Sequence, residues 1–498
     1  MRLLTPLQIK RVEEAFWAGG HGTESGMIAS AGRAAAELAE ARFGPLTGSL
    51  VVVLCGKGHN AADGLVAALR WLEAGVRVSA FLAFPREALA VETAKALDKA
   101  LAAGLQVVED LALLEPGALA VDAMVGTGAR LPLQGRLADC ARWINAQAAP
   151  VLALDLPSGL DGETGAVHDP CVKAAATISF VAAKPGLFLD PGRDQAGMVQ
   201  VHAFSAELRR LVETESTLRA FDLDEARAAL PLRRGDAHKK QARLLIVAGS
   251  VDYLGAALLC AKAAYRGGAG LVRLALPRSL ALAAVSALPE AVVLGLPAED
   301  ALDDSQRDAL LGALAESDAL VVGPGLGRRP GTQDLVRALW RETALPALFD
   351  ADALHALRLA QPAGAVRVLT PHAGELKALM GPGALADGRC AAALALARAT
   401  GAVALLKGPA TLVARPDGQL SINVTGSAVL ASAGTGDVLS GLIGALLAQA
   451  AAAHQAAGLG AWAHGAAADA WARENAGRGL LASDLLERLP QALALAGA

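Results

Sequence analysis

Residues 431–449 read ASAGTGDVLSGLIGALLAQ. They contain a turn with almost no side chains, followed by a single carboxylate, and a long apolar helix is predicted to begin at that turn. The N-terminus of a helix carries unpaired N–H groups and about half a positive charge. Gly434 and Gly436 would let an anion approach this backbone closely. Asp437 is then placed to take the proton from a hydroxyl that attacks phosphorus. The alternative is that Asp437 only caps the helix.

Three more turns of the second half follow predicted apolar strands. Residues 247–256 (VAGSVDYLGA) and 321–327 (VVGPGLG) are rich in glycine, and residues 407–411 (KGPAT) begin with Lys407. In open α/β sheets, ligands bind at the edge where the strands end. Lys407 and the turn amides are therefore suited to hold a nucleotide phosphate or to frame an adenine pocket. Each turn taken alone also fits an ordinary loop.

Acidic residues and a histidine occupy two further strand ends. The segment FDADAL contains Asp350 and Asp352, whose carboxylates could bind a magnesium ion or a substrate hydroxyl. The alternative is that Asp352 only caps a helix. The segment TPHAGE brings His372 and Glu375 to a strand-to-helix turn. Thr370 is the expected cap of that helix, and Glu375 could instead be a first-turn charge that interacts with the helix dipole.

Three loops of the first half carry oxygen-bearing side chains. Asn60 lies in CGKGHNAADG, Asp122 opens DAMVGTGARLPLQG, and Ser158 lies in LDLPSGLDGETG. Hard oxygen ligands from three neighbouring loops suit an alkali or alkaline-earth cation. The first loop also follows a strand and opens a helix, which is where a dinucleotide phosphate would bind. Each loop by itself fits a plain strand-to-helix turn equally well.

Both halves alternate short apolar runs with helical segments, as in SLVVVLC followed by DGLVAALRWLEAG. Continuous apolar strands separated by helices are typical of a parallel sheet covered on both faces. We therefore predict an α/β fold with two domains, the first of them Rossmann-like with three layers. The charged segment 205–240 interrupts the alternation, so we expect the domains to span 1–215 and 222–498. In the second domain, RPDG (415–418) predicts a hairpin turn.

The composition argues against several classes of partner. The 498-residue chain has a formal net charge of −4 and no basic run interleaved with aromatic residues, so we expect neither nucleic acid nor a membrane surface as a partner. Five scattered cysteines without a CxxC pair indicate reduced thiols and a cytoplasmic protein. The N-terminus lacks the apolar core of a signal peptide. Residues 438–468 contain no charged side chain, but glycine and polar residues interrupt them, which favours buried helices over a membrane span.

Five motifs of the second half, in this order, resemble the ADP- or ATP-dependent NAD(P)H-hydrate dehydratases: VVGPGLG, FDADAL, LTPHAGELKALMG, LLKGPATLVA and AGTGDVLSGLIGALLAQ. The resemblance covers about 242–490 and implies a ribokinase-like fold, with ADP or ATP and Mg²⁺ as cofactors. It implies that Asp437 removes the proton of the C6 hydroxyl on the hydrated nicotinamide as a nucleotide phosphate is transferred to it. Phosphate then leaves far more readily than hydroxide would, and NAD(P)H is restored.

The same resemblance implies the residues around both ligands, including Lys239 of DAHKK as an aid to phosphate binding. The hydrate is expected near Ala256, Gly327, His372 and Asp437. The nucleotide is expected near Lys407, Gly408, Pro409, Ala410, Thr411 and Gly436.

The three loops of the first half together resemble the NAD(P)H-hydrate epimerase domain, which commonly precedes the dehydratase in one chain. The resemblance covers about 10–205. It implies a potassium ion held by Asn60, Asp122 and Ser158, and acid–base work by Asp155 during epimerisation at C6. The residues implied to contact the hydrate are His59, Asn60, Ala61, Ala62, Asp63, Gly126, Thr127, Gly128, Ala129, Arg130, Leu131, Pro132 and Asp155.

The first loop departs from the family's usual Asn-Asn-Gly-Gly-Asp, because this chain has His59, Asn60, Ala61, Ala62 and Asp63 there. An alanine that had to adopt a positive φ in this loop would be strained by about 1 kcal/mol. The three expected cation ligands are retained.

We expect a repair enzyme whose first domain interconverts the R and S forms of hydrated NADH and NADPH (NADHX and NADPHX). Its second domain would dehydrate the S form, and the alanine-rich chain is expected to form a homo-oligomer. One rival is a ribokinase-type small-molecule kinase that releases a stable phosphorylated product. The other is a degenerate N-terminal domain that serves only for binding or as a scaffold. Product analysis tests the first rival, and R-to-S exchange by the 1–215 fragment tests the second.

Overall fold

The computed structural model describes residues 1–232, 238, 240–357, 359 and 364–497. Two compact units are present: one spans Arg2–Leu218, and the other begins at Arg219 and also includes Met1. The division falls inside the charged segment that the sequence marks as a boundary.

The first unit alternates strands and helices along the chain. Its strands are β1 (Arg2–Leu3), β2 (Leu50–Cys55), β3 (Arg77–Leu82), β4 (Gln106–Val108), β5 (Leu119–Ala123), β6 (Val151–Leu154), β7 (Ala176–Phe180) and β8 (Met198–His202). Its helices are α1 (Pro6–Ala18), α2 (Glu24–Phe43), α3 (His59–Glu73), α4 (Val91–Ala102), α5 (Arg136–Asn145), α6 (Arg193–Ala196) and α7 (Ala206–Glu215).

The main sheet of the first unit has the strand order β4-β3-β2-β5-β6-β7-β8, and every pair in it is parallel. Apart from Asp122 in β5, the central strands are apolar, and all their residues except the half-buried Leu50 are buried, as the predicted two-sided coverage requires. Because β2, β5 and β6 are adjacent, the three loops with oxygen-bearing side chains leave the sheet at the same edge. In the register, Asp122 of β5 lies between Leu54 of β2 and Ala153 of β6.

The second unit repeats this alternation with a different order. Its strands are β9 (Leu218–Phe221), β10 (Arg243–Val247), β11 (Leu271–Pro277), β12 (Val292–Leu296), β13 (Ala319–Val322), β14 (Ala347–Phe349), β15 (Arg367–Leu369), β16 (Val403–Leu406), β17 (Leu412–Ala414) and β18 (Leu420–Asn423). Its helices are α8 (Leu223–Ala229), α9 (Leu254–Arg266), α10 (Ala281–Ala287), α11 (Arg307–Leu314), α12 (Pro330–Glu342), α13 (Ala373–Met380), α14 (Gly388–Thr400), α15 (Thr435–Ala448), α16 (Ala453–Glu474) and α17 (Ala482–Gly497).

Strands β12-β11-β10-β13-β14-β15-β16 of this unit are parallel, and β17 and β18 then continue the sheet as antiparallel strands. The hairpin predicted at 415–418 therefore joins β17 to β18. Residues 407–411 form the turn from β16 to β17, so this loop is the tip of a hairpin and not a strand-to-helix connection. The predicted α/β class is confirmed in both units.

Helices α15 and α16 contain the uncharged run 438–468, and most of their residues are buried. Helix α15 lies against α9 so closely that a Cβ on Gly441 would stand 1.9 Å from the carbonyl oxygen of Cys260. The run is therefore core, as predicted. In the part of the chain that the structure describes, no helix is both long and apolar enough to cross a membrane.

Candidate functional site

The N-terminus of α15 is open to an anion. Gly434 precedes the helix with a φ of +87°, a conformation that glycine adopts without a Cβ penalty. A Cβ placed on Gly436 would lie 3.6 Å from Nζ of Lys407, so the lysine stands opposite the first turn. A helix N-terminus and an ammonium group thus face the same space, which is an arrangement that favours a phosphate.

Asp437 lies in the first turn of this helix. Burial and the negative charge of Asp350 together raise the pKa of its carboxyl to about 7, against the opposing effect of Lys407. A carboxyl with a pKa near neutrality exists in both protonation states at working pH and is well matched to act as a general base. Its side chain takes no part in a cap hydrogen bond, because the cap residue of α15 is Gly434. The cap alternative for Asp437 is therefore wrong.

A buried ion pair lies beside Asp437. The carboxylate of Asp350 accepts hydrogen bonds from Nζ of Lys407 at 2.8 Å and from Oγ of Ser440 at 2.6 Å. Burial acts to raise the pKa of Asp350, but Lys407 and these hydrogen bonds hold it below its ordinary value. Burial acts in turn to lower the pKa of Lys407, and Asp350 and Glu375 raise it overall. Both groups are therefore charged at neutral pH.

Asp352 fixes the glycine-rich turn at 321–327. Its carboxylate accepts a hydrogen bond from the N–H of Gly327 at 2.9 Å and one from Nε of Arg328 at 2.7 Å. The cap role considered for Asp352 is therefore wrong. The same turn has no room for a side chain at Gly323, where a Cβ would lie 1.9 Å from the carbonyl oxygen of Asp350.

His372 is the N-cap of α13. Its Nδ1 accepts hydrogen bonds from the N–H groups of Gly374 at 2.9 Å and Glu375 at 3.3 Å, and the Glu375 carboxylate accepts from the N–H of His372 at 2.8 Å. This reciprocal pair is a capping box. The expectation that Thr370 is the cap is wrong, because its buried hydroxyl faces the carbonyl oxygen of Phe349. The side chain of His372 is 59% exposed at the strand end, and its Nε2 lies 3.4 Å from the carboxylate of Glu375.

The remaining predicted contacts of the second unit lie on the same turns. Ala256, in the first turn of α9, would be 3.1 Å from a Cβ on Gly325, so it borders the turn at 321–327. In the 407–411 loop, Ala410 has a φ of +48°, which costs a non-glycine residue on the order of 1 kcal/mol. The guanidinium of Arg389 donates to the carbonyl oxygen of Pro409 and holds that loop. Lys239 lies outside the described residues.

The first unit contains a cavity of about 1520 Å³ at the edge where β2, β5 and β6 end. Its wall includes most of the residues expected to contact the hydrate: His59, Asn60, Asp63, Gly126, Thr127, Gly128, Ala129, Arg130, Leu131, Pro132 and Asp155. Ala61 and Ala62 were expected there too, but they are fully buried in the first turn of α3 and do not line the cavity. Because both have helical backbone, the strain considered for them does not arise.

Asp155 is held at the floor of this cavity by a lysine that sequence reasoning missed. Nζ of Lys184 donates to the carboxylate of Asp155, to Oγ of Ser179 at 3.1 Å and to the carbonyl oxygen of Phe180 at 3.0 Å. Lys184 is only 1% exposed, so its charge is balanced chiefly by Asp155. The second carboxylate oxygen of Asp155 accepts from the N–H of Thr127 at 3.2 Å.

Two further carboxyl groups line the cavity near this pair. Burial raises the pKa of Asp63 well above its ordinary value, and the charge of Asp155 adds to the effect. Burial also raises the pKa of Glu13, against the opposing charge of Lys184. Asp155, paired with Lys184, therefore lies near two carboxyl groups that retain protons more readily than usual, which is an arrangement suited to acid–base exchange.

The three expected cation ligands leave one buried acceptor without a partner. Asn60 donates through Nδ2 to the carbonyl oxygen of Leu154 at 3.1 Å, while its buried Oδ1 has no hydrogen-bond partner. The fully buried carboxylate of Asp122 accepts from Oγ and N–H of Ser158, each at 2.7 Å. Burial nevertheless raises the pKa of Asp122 to about 6. A bound cation would coordinate the unpartnered amide oxygen of Asn60 and would stabilise the charged form of the buried Asp122 carboxylate.

Two family models match different parts of the chain. Residues 24–186 match the family model described as YjeF-related protein N-terminus, and residues 244–491 match the model described as NAD(P)H-hydrate dehydratase. Among solved structures, an ADP/ATP-dependent NAD(P)H-hydrate dehydratase from Bacillus subtilis, co-crystallized with ATP/Mg²⁺, is 30% identical with a TM-score of 0.49. That match covers 55% of this chain and 97% of the other.

Relatives along nearly the whole length are described as bifunctional NAD(P)H-hydrate repair enzymes. The relative from Moorella thermoacetica is 37% identical over 94% of this chain and 92% of its own length. The one from Salinibacter ruber is 38% identical over the same shares, and the one from Escherichia coli is 37% identical over 88% of this chain and 84% of its own. The chain therefore belongs to the family of bifunctional NAD(P)H-hydrate repair enzymes.

Proposed function

We propose that the second unit restores NAD(P)H by phosphorylating the C6 hydroxyl of the S hydrate with ADP or ATP, and that the first unit interconverts the R and S hydrates. We assign the epimerase to residues 1–215 and the dehydratase to residues 222–498. The observation that carries the proposal is Asp437, a carboxyl with a pKa of about 7 set in the first turn of a helix and opposite Lys407.

In the dehydratase reaction, Asp437 accepts the proton of the C6 hydroxyl as that oxygen attacks the terminal phosphorus of the nucleotide. Lys407 and the N–H groups at the start of α15, including that of Gly436, stabilise the charge that develops on the phosphoryl oxygens. The C6–O bond then breaks, phosphate leaves, and loss of a proton from the neighbouring carbon restores the ring double bond. Residues 408–411 surround the rest of the nucleotide, while Ala256, Gly327 and His372 border the hydrate.

We propose no magnesium site made by side chains alone in the part of the chain that the structure describes. Both carboxylate oxygens of Asp350 and of Asp352 already accept hydrogen bonds from neighbouring side chains or backbone. Among the described residues, no group of three or more His, Cys, Asp and Glu side chains could hold a metal ion. Mg²⁺ commonly binds through substrate phosphates with few protein ligands. We therefore propose that it arrives on the nucleotide.

In the epimerase, Asp155 takes the proton of the C6 hydroxyl as the C6–N1 bond opens to a carbonyl and N1 is protonated. The bond re-forms on the opposite face as N1 loses that proton and the oxygen regains one from Asp155, while Lys184 orients the carboxylate. We assign a potassium ion to Asn60, Asp122 and Ser158, where it would supply a fixed positive charge beside the substrate cavity. The unpartnered Oδ1 of Asn60 is the support for this assignment. The substrates are NADHX and NADPHX. The five free cysteines support a cytoplasmic location, and we further propose a homo-oligomer.

The proposal is tested by incubating the purified chain with mixed R and S hydrates, Mg²⁺ and either ADP or ATP. We expect complete recovery of the absorbance of reduced nicotinamide, with one inorganic phosphate released for each molecule restored. Accumulation of a stable phosphorylated product would instead indicate a small-molecule kinase. Recovery that stops once the S form is consumed would show that the first unit does not epimerise.

The cation assignment makes a prediction about stability. A ligand present at about 100 times its Kd stabilises the folded chain by about 2.7 kcal/mol. For a unit of this size that amounts to a rise of about 5–10 °C in melting temperature. We expect KCl to produce such a rise relative to an equal concentration of choline chloride, measured by differential scanning calorimetry. Asp122→Asn should abolish this difference, because it removes the charged ligand. A response to K⁺ that persists in Asp122→Asn would exclude the site.

A further inference from the structure

A buried histidine of α16 contacts the turn that holds Asp437. His464 is 7% exposed, and its Nε2 lies 2.9 Å from the carbonyl oxygen of Thr435. Burial lowers the pKa of His464 to about 4, although the hydrogen bond to Thr435 opposes this. The imidazole is therefore neutral at working pH. Because a carbonyl oxygen only accepts, Nε2 must carry the hydrogen and donate it.

The backbone N–H groups of residues 434–436 at the start of α15 form what we call the phosphate cradle. The peptide group that accepts the hydrogen bond from His464 also presents one of these N–H donors. The carbonyl of Thr435 and the N–H of Gly436 belong to the same planar peptide unit. Hydrogen bonds arranged in a chain polarise one another, so donation to the oxygen strengthens the N–H as a donor on the other side. In the proposed dehydratase reaction, that N–H faces the transferred phosphoryl group.

Helix α16 also holds the segment that leads into the cradle. Oγ of Thr425 donates to the carbonyl oxygen of Trp462 at 2.8 Å, and the N–H of Gly426 donates to the carboxylate of Asp469 at 2.8 Å. The approach is so close that a Cβ on Gly465 would lie 2.4 Å from Oγ of Thr425. These contacts are structural supports some distance before the cradle, whereas the side chain of His464 bonds to the cradle peptide itself.

We propose that His464 is a positioning residue for phosphoryl transfer, which orients the peptide between Thr435 and Gly436 and polarises its N–H toward the phosphate. The inference rests on the proposed dehydratase function of the second unit. It goes beyond that function because His464 touches neither substrate nor nucleotide in this assignment and acts only through the peptide.

The test compares His464→Leu, which lacks a donor, with His464→Gln, whose side-chain N–H can reach the same carbonyl. Loss of a direct donor to a developing oxyanion costs about 10²- to 10³-fold in kcat, and loss of a polarising bond behind it should cost less. We expect kcat for dehydration of the S hydrate to fall about tenfold or more in His464→Leu, with KM for the hydrate unchanged. His464→Gln should recover most of the rate.

The matched control is Asp469→Asn, which weakens a support from the same helix without touching the cradle. It should lower the melting temperature about as much as His464→Leu while leaving kcat unchanged. The acid limb of the pH–rate profile should keep its position in both variants, because Asp437 is intact. If His464→Leu does not fold, His464→Ala assayed with and without added imidazole takes its place, and imidazole should restore the rate.

A wild-type kcat in His464→Leu would overturn the proposal, as would equal losses of kcat in His464→Leu and Asp469→Asn. A His464→Ala variant that imidazole does not rescue would do the same where that variant is used. If the parent chain itself forms no NAD(P)H from the S hydrate, the proposed function fails, and the role of His464 falls with it.

Discussion

Replacing Asp437 by asparagine is expected to lower kcat for dehydration by about 10²- to 10⁴-fold, the range typical of losing a general base. Asparagine has nearly the same shape but cannot accept the proton of the C6 hydroxyl. The cradle and Lys407 are untouched, so the affinity for ADP should change little. Single-turnover recovery of NAD(P)H from the S hydrate measures the first quantity, and calorimetric titration with ADP measures the second.

The pH dependence provides an independent check on the same residue. Because a base must be unprotonated, the rate of dehydration should rise with pH below about 7 and level off above it, following the pKa of Asp437. The Asp437→Asn variant should lack this rise of the rate with pH. If Asp437→Asn recovers NAD(P)H at the parent's rate, or if its rate still rises with pH below about 7, another group transfers the proton.

The raised pKa of Asp437 also has a cost in stability. Its folded value of about 7 lies above the ordinary value of 3.8, so the folded chain binds this proton more tightly than the unfolded chain does. The stabilisation is complete below the ordinary value and is lost as the pH rises through about 7. Asp437→Asn should therefore unfold at a higher temperature than the parent above pH 7, which shows that loss of activity is not loss of fold.

Replacing Asp155 by asparagine should lower the rate of R-to-S exchange by about 10²- to 10⁴-fold, again the range for a lost proton-transfer group. Dehydration of pure S hydrate should continue at the parent's rate, because that reaction belongs to the second unit. Exchange is followed by chromatographic separation of the epimers in the absence of nucleotide.

This substitution also leaves Lys184 charged and without its carboxylate, and breaking a buried pair costs about 3–5 kcal/mol. The double variant Asp155→Asn with Lys184→Met removes the stranded charge and should recover most of that stability. It should not recover epimerisation. Exchange at the parent's rate in either variant would show that Asp155 is not the group that moves the proton.

Much of the architecture follows from local patterns. Short apolar runs such as LVVVLC, alternating with helical segments, are typical of strands buried on both faces, and parallel strands bring their carboxyl ends to one edge. That reasoning placed Lys407, Asp350 and Asp352 at strand ends of the second domain, and Asn60, Asp122 and Ser158 on neighbouring loops of the first. The position of Asp437 at the start of a helix followed from the glycine-rich turn before it. The glycine-rich turns were informative because several of them have no room for a Cβ.

What the sequence did not reveal depends on partners that are distant along the chain. Lys184 gains its role from Asp155, and His464 gains its role from Thr435, and neither pairing leaves a local pattern. Thr370 was expected to cap α13 because threonine is a favoured cap, but the strand buries its hydroxyl and the exposed His372 takes the position. Ala61 and Ala62 were expected to contact the hydrate because of the resemblance to the epimerase domain, but α3 begins at His59 and buries both.

The presence of both units in one polypeptide fixes their stoichiometry. Every copy of the chain that is synthesised carries one epimerase site and one dehydratase site, so the cell cannot make one activity without the other. Since the dehydratase is proposed to consume only the S hydrate, an equal supply of epimerase prevents the R hydrate from accumulating as a dead end. Capacity for repair therefore scales with a single expression level.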